Sequence, residues 1–83
     1  MFTLLTKDDC IWCDKAKQLL DKREAPYGAF HYKDHFMIPV LMRQAKLKTV
    51  PQIWVDTPNG ITYIGGYEDL VNWFKNQNIW NAT

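Results

Sequence analysis

The chain has 83 residues, enough for one domain and too few for a second hydrophobic core. Aliphatic and aromatic residues make up 47% of it, which excludes a disordered chain, and a formal net charge of +1 with both signs interspersed gives no electrostatic footprint for nucleic acid or an anionic membrane. No apolar run approaches the roughly 20 residues that span a bilayer, and Met1 to Thr6 lacks the basic and long apolar regions of a secretory signal.

Phe2-Thr3-Leu4-Leu5 is a short apolar run that predicts a buried strand. The polar stretch Lys7-Asp8-Asp9 follows, then Cys10-Ile11-Trp12-Cys13. From Trp12 onward the period changes: Cys13, Ala16, Leu19 and Leu20 fall at i, i+3, i+6 and i+7, with Lys15, Lys17, Asp21 and Lys22 on other faces. This is an amphipathic helix. It is expected to stop near Glu24, since Pro26 disfavours helical geometry at Ala25.

Tyr27 to Lys33 has strand character, with Phe30 and Tyr32 on one face and His31 on the other. A second helix is predicted from about Met37 to Lys46, with Pro39 tolerated in its first turn. Val50 to Val55 is the strongest strand. Pro58-Asn59-Gly60 is a hairpin turn signal, and Ile61 to Ile64 reads as the returning strand. Gly65-Gly66 breaks the chain before a last helix carrying Leu70, Trp73 and Phe74, predicted to end near Gln77. The expected organisation is one domain over 1–77 and a loosely held tail over 78–83, where Trp80 could dock.

The order is β-α-β-α-β-β-α. A right-handed crossover makes the first two strands parallel, and the hairpin makes the last two antiparallel. The fold class expected is α/β, a mixed four-stranded sheet flanked by helices.

Only two cysteines occur, where a stapled secreted domain of this length would carry more at wider spacing. Two residues between them close a loop too small to constrain the unfolded chain, so redox chemistry or metal binding explains the pair better than stability. His31 and His35 have H-x₃-H spacing and with the cysteines approach a C₂H₂ zinc pattern. Yet 17 residues lie between Cys13 and His31, where fingers use about 12 to 15, and those residues read as a helix and the start of a strand. The histidines are expected to face solvent around a strand end, and no metal is expected.

The predicted place of the pair favours redox chemistry. Cys10 ends a strand-to-helix connection, where unpaired N–H groups and the helix dipole stabilise a thiolate, the species that attacks a disulfide. Cys13, one turn on and more buried, is placed to resolve the mixed disulfide. Lys7 assists the thiolate. Asp8 and Asp9 oppose it, each by roughly 0.7 kcal/mol if about 6 Å away in water.

Three separated segments resemble, in order and spacing, the signature segments of glutaredoxins: Lys7 to Cys13, Thr49-Val50-Pro51-Gln52, and Gly65-Gly66-Tyr67-Glu68-Asp69-Leu70. The similarity runs to about Lys75, and the size is that of short bacterial and viral members. It implies the thioredoxin fold, a cytoplasmic monomer, and dithiol catalysis by Cys10 and Cys13 with glutathione as co-substrate.

It also implies a glutathione site. Val50-Pro51 matches the family's cis-proline turn, leaving the Val50 backbone free to pair with an extended peptide beside Thr49. Gly66 precedes the last helix, whose open Tyr67 and Glu68 N–H groups suit the γ-glutamyl carboxylate, with Asp69 taking the ammonium. Lys7 aligns with the basic residue that attracts the glycine carboxylate, and Trp12 with an aromatic cleft wall. Protein disulfides are the implied partners, ribonucleotide reductase being a usual client.

Three positions depart from the family pattern. Ile11 stands where proline is common, which leaves room for an iron–sulfur-bridged dimer. Glu68 replaces a shorter side chain, and Asp8 and Asp9 make the approach to Cys10 unusually acidic. Without the glutathione clamp the chain would read instead as a thioredoxin-like donor reduced by a flavoprotein.

Overall fold

The computed structural model describes the backbone of residues 1–82 and the side chains of residues 1–77. Its elements are β1 (Phe2–Thr6), α1 (Ile11–Lys22), β2 (Tyr27–His31), α2 (Met37–Gln44), β3 (Gln52–Thr57), β4 (Gly60–Gly65) and α3 (Tyr67–Ala82). They form one four-stranded sheet in the order β2-β1-β3-β4. β1 pairs with β2 in parallel and with β3 antiparallel, and β3 pairs antiparallel with β4. This is the mixed sheet of the thioredoxin fold.

Strand alternation builds the core. Phe2 lies opposite Val55 and Leu4 opposite Ile53 in the β1–β3 register, so all four point to one face. There they meet Ala16 and Leu20 of α1 and Leu70 of α3. Leu4, Leu20, Ile53 and Leu70 are fully buried, each worth about 1.5–3 kcal/mol of transfer free energy. Trp73 packs edge-on against Phe2 with ring centroids 5.4 Å apart, and Phe74 lies 5.7 Å from the same ring. The 3.6-residue pattern in α1 and α3 thus places both helices on one side of the sheet. On the other side α2 buries none of its side chains fully. A cavity of about 380 Å³ separates it from Leu5, Phe30 and Trp54.

Helix α1 ends near Glu24 as expected, and other element ends differ from the sequence expectation for identifiable reasons. Helix α1 closes in a Schellman motif: Ala25 N–H reaches Leu20 C=O at 2.9 Å and Glu24 N–H reaches Asp21 C=O at 3.0 Å, with Glu24 at φ 55°. Helix α2 ends the same way. Leu47 N–H meets Met42 C=O at 2.8 Å, and Lys46, at φ 61°, lies beyond the helix rather than in it. β2 stops at His31, two residues early. β3 starts at Gln52 and not Val50, because Pro51 has no N–H to pair, and the Val50–Pro51 bond is cis, as the resemblance implied. Helix α3 continues to Ala82, past the predicted end at Gln77. How the 78–83 tail packs, Trp80 included, lies outside the described residues. Among the described residues no helix is long and apolar enough to cross a membrane.

Candidate functional site

Cys10 is the N-cap of α1. Its backbone is extended (φ −116°, ψ 100°), and its sulfur accepts the Cys13 N–H at 3.1 Å. A sulfur here takes the place of the Ser or Asp oxygen that usually satisfies this orphan donor. Cys10 and Cys13 are joined as a disulfide with Cα atoms 5.2 Å apart. Cys13 is 1% exposed and Cys10 7%. Both are buried, Cys10 less completely than Cys13. Beside them Ile11 is 63% and Trp12 48% exposed, so an apolar rim surrounds the reactive pair.

The segment before the cis bond faces this pair, with Val50 C=O 3.8 Å from the Cys10 sulfur. Val50 is also part of a groove of about 440 Å³. One side of the groove is Thr49, Val50, Pro51 and Gln52, and the other is Gly66, Tyr67, Glu68 and Asp69, with Trp12 and Tyr63 completing it. The rings of Trp12 and Tyr67 are 5.7 Å apart. The structure therefore gathers in one place eight of the nine residues expected around a bound glutathione. The ninth, Lys7, is exposed but does not line the groove. A turn through Asp9 at φ 52° intervenes between Lys7 and Cys10.

Gly65 and Gly66 shape the far end. Gly66 is the N-cap of α3: its C=O accepts from Leu70 N–H at 3.0 Å, and its own N–H donates to the Asp69 carboxylate at 3.0 Å. This is the return half of a capping box. Asp69 is thus already engaged through one oxygen. Gly65, at φ 122°, passes so close that a Cβ there would collide with the Asp69 carboxylate.

Two groove residues had no expected site role: Tyr63, and Gln52 at the end of a signature segment. Tyr63 of β4 donates its hydroxyl to the Gln52 side-chain oxygen, and Gln52, which is buried, donates its amide to Thr49 C=O at 2.7 Å. Burial first, and the Asp69 carboxylate second, raise the Tyr63 phenol above its ordinary value of 10.0. Gln52 belongs to the Thr49-Val50-Pro51-Gln52 segment, so its place was marked and only its role was not. Tyr63 enters through the irregular β3–β4 register at Ile53/Trp54, which no local pattern announces.

The acidic approach is less free than it looked. Asp8 lies 3.3 Å from His31 Nε2. His31 is partly buried rather than solvent-facing, and its Nδ1 accepts the Lys33 N–H at 3.0 Å. Among the described residues no three His, Cys, Asp or Glu side chains gather as a metal site, so the CxxC and H-x₃-H donors are not brought together.

Comparison with known proteins agrees with this geometry. The glutaredoxin family profile matches residues 2–57, more than half of the chain. No curated protein matches the chain by sequence. Among solved structures, a glutaredoxin from Brucella melitensis superposes with a TM-score of 0.72 at 20% identity, covering 96% of this chain and 84% of its own. A buckwheat glutaredoxin–glutathione complex gives 0.73 at 19% identity, covering 92% and 69%. Glutaredoxin 1 from Francisella tularensis, complexed with cacodylate, gives 0.66 at 22% identity, covering 93% and 95%.

Proposed function

The chain belongs to the glutaredoxin family, whose members are thiol–disulfide oxidoreductases, and on that premise we propose that it reduces protein disulfides and glutathione mixed disulfides at the expense of glutathione. The observation that carries the reading is Val50: it lines the groove while its carbonyl stands 3.8 Å from the Cys10 sulfur. A thiol peptide laid along Thr49-Val50 brings its own sulfur to Cys10.

The chemistry follows from the two environments. In the reduced protein the Cys10 thiolate keeps the Cys13 N–H and the N-terminal dipole of α1 as its stabilising partners. It attacks the substrate disulfide, forming a mixed disulfide and releasing one thiolate. Cys13 then attacks the Cys10 sulfur, closing the intramolecular disulfide and releasing the second substrate thiolate. One glutathione thiolate opens that disulfide at Cys10, freeing Cys13. A second takes the glutathionyl sulfur, leaving glutathione disulfide and the dithiol.

Binding divides between the groove walls. The Val50 backbone pairs with the cysteinyl part of glutathione, as a strand pairs with an edge. Tyr67 and Glu68 N–H groups, open at the start of α3, take the γ-glutamyl carboxylate. The ammonium is left to the free oxygen of Asp69. Trp12 walls the cleft and shields the sulfur exchange from water. Lys7, outside the groove, contributes at most a diffuse attraction. Protein clients are disulfide-bearing chains, and a ribonucleotide reductase is the one to assay first.

The test is Cys13→Ser treated with glutathione disulfide, followed by intact mass. One glutathione held on Cys10 is the expected product. No adduct, together with efficient reduction of the wild-type disulfide by a thioredoxin reductase, would replace glutathione by a flavoprotein as the electron source.

A further inference from the structure

Beyond Tyr67, on the side away from the Thr49–Pro51 wall, lies a second cleft of about 310 Å³. It is made by Lys15, Gln18, Leu19 and Lys22 of α1 and by Tyr67 of α3. Tyr67 borders both this cleft and the glutathione groove, so the two meet at one aromatic ring. We infer that this cleft docks an acidic segment of the disulfide-bearing protein substrate. The inference rests on the reductase reading above and adds the chemistry of its client.

The charges are placed for such a segment. Lys15 and Lys22 are two helical turns apart, so both project from the same face of α1, about 10 Å apart along its axis. An extended chain covers that distance in about three residues. Carboxylates two to four positions apart on a bound strand therefore reach both ammonium groups. The Lys15 ammonium sits 4.8 Å above the Trp12 ring, which holds it at the boundary between groove and cleft. Among the described residues neither lysine is ion-paired with a carboxylate of this chain.

The surroundings give the segment a direction. Exposed Ile11 and Trp12 provide an apolar centre next to Cys10. Exposed Asp8 and Asp9 lie on the β1–α1 connection before Cys10, whereas Lys15 and Lys22 lie after it along α1. The cleft face of α1 thus carries two lysines and no carboxylate, with Asp14 and Asp21 on the neighbouring face of the helix and Lys7 beside Asp8 and Asp9. A substrate strand with its acidic end over α1 meets attraction there, and the reverse orientation puts that end against Asp9. Glutathione fills the groove and leaves this cleft open, so the cleft discriminates among protein substrates and not between them and glutathione.

The experiment uses a pair of disulfide peptides, identical except for two Asp residues near the cysteine in one and Asn in the other. Reduction is followed with glutathione and glutathione reductase. The wild type is expected to turn over the Asp peptide with a kcat/KM about 5-fold higher at low ionic strength, an advantage that shrinks as salt is added. Lys22→Glu should abolish the preference, and Lys22→Gln should reduce it. Both should leave reduction of bis(2-hydroxyethyl) disulfide unchanged. A cysteine-free, fluorescently labelled Asp peptide measures docking separately from turnover, and its binding should weaken in the same variants. Equal handling of the two peptides, or a preference that survives Lys22→Glu, overturns the docking site. A wild type that binds the labelled peptide but reduces no disulfide retains the site and overturns the reductase reading instead.

Discussion

The Tyr63 hydroxyl donates to the side-chain oxygen of Gln52, and this bond ties β4 to the segment that faces Cys10. Gln52 passes the connection on through its amide to Thr49 C=O at 2.7 Å. A buried acceptor that loses its partner costs about 1–3 kcal/mol. Tyr63 is half-exposed, so water can partly replace it and the lower figure applies. Tyr63→Phe is expected to cost about 1 kcal/mol in a urea titration. It should also raise KM for a glutathionylated substrate more than it lowers kcat, because Thr49 loses its support. An unchanged KM would show that the Thr49–Pro51 wall does not depend on this relay.

Gly65 is constrained twice, by its backbone and by its neighbour. At φ 122° it occupies a region L side chains rarely adopt, and a Cβ would strike the Asp69 carboxylate. Gly60 has nearly the same φ of 120° but open space around it. Comparing Ala at the two positions separates conformational strain from collision. Gly65→Ala is expected to cost about 2–3 kcal/mol, roughly 10–17 °C in Tm for a domain of this size. Gly60→Ala should cost about half as much. Equal losses would mean that Asp69 moves aside freely.

The strands, the sense of the first and last strand pairs and the two core helices were legible in the sequence, whereas the strand order and register were not. Phe2-Thr3-Leu4-Leu5 is a short apolar run, and Ala16 and Leu20 recur at helical spacing. The ends were less legible. Pro26 marked the end of α1 near Glu24, whereas Lys46 adopts positive φ without being glycine, so nothing in its type marks the end of α2. Asn76 is a weak helix former, yet α3 continues through it. At the site, the motif-borne residues came together as expected, whereas Lys7 did not. Its expected role came from alignment with a family, and alignment does not specify how the Asp8–Asp9 turn is directed. Tyr63 lies on a strand whose register shifts beside it, and only the folded chain reveals what it faces.

Asp69 has two separable duties, which different substitutions should resolve. Its carboxylate accepts the Gly66 N–H at 3.0 Å, and its charge is the one proposed to meet the glutathione ammonium. Asn keeps an oxygen for Gly66 and removes the charge. Asp69→Asn should therefore cost only about 0.5 kcal/mol of stability through the helix dipole while weakening glutathione use several-fold. Asp69→Ala removes the cap as well, adding about 1 kcal/mol of destabilisation. If Asn behaves like the wild type with glutathione, the negative charge is not what the ammonium needs.

Two phenols are expected to make stability fall at alkaline pH. Burial and then the Asp69 carboxylate raise Tyr63 above 10.0, and burial and then Asp21 do the same for Tyr27. Both are neutral when protonated, so between about pH 10 and the higher folded values the unfolded chain has released protons that the native chain still holds. The unfolded state then binds fewer protons, and stability falls as pH rises. Below about pH 10 this contribution is fully present and flat. Unfolding of the disulfide form, whose cysteines do not titrate, is expected to show a declining free energy above that point. Tyr63→Phe and Tyr27→Phe should each make the decline shallower, even though the first also lowers the plateau. The comparison rests on the change in slope between variants. A slope left untouched by both substitutions would show that neither phenol contributes to the alkaline loss.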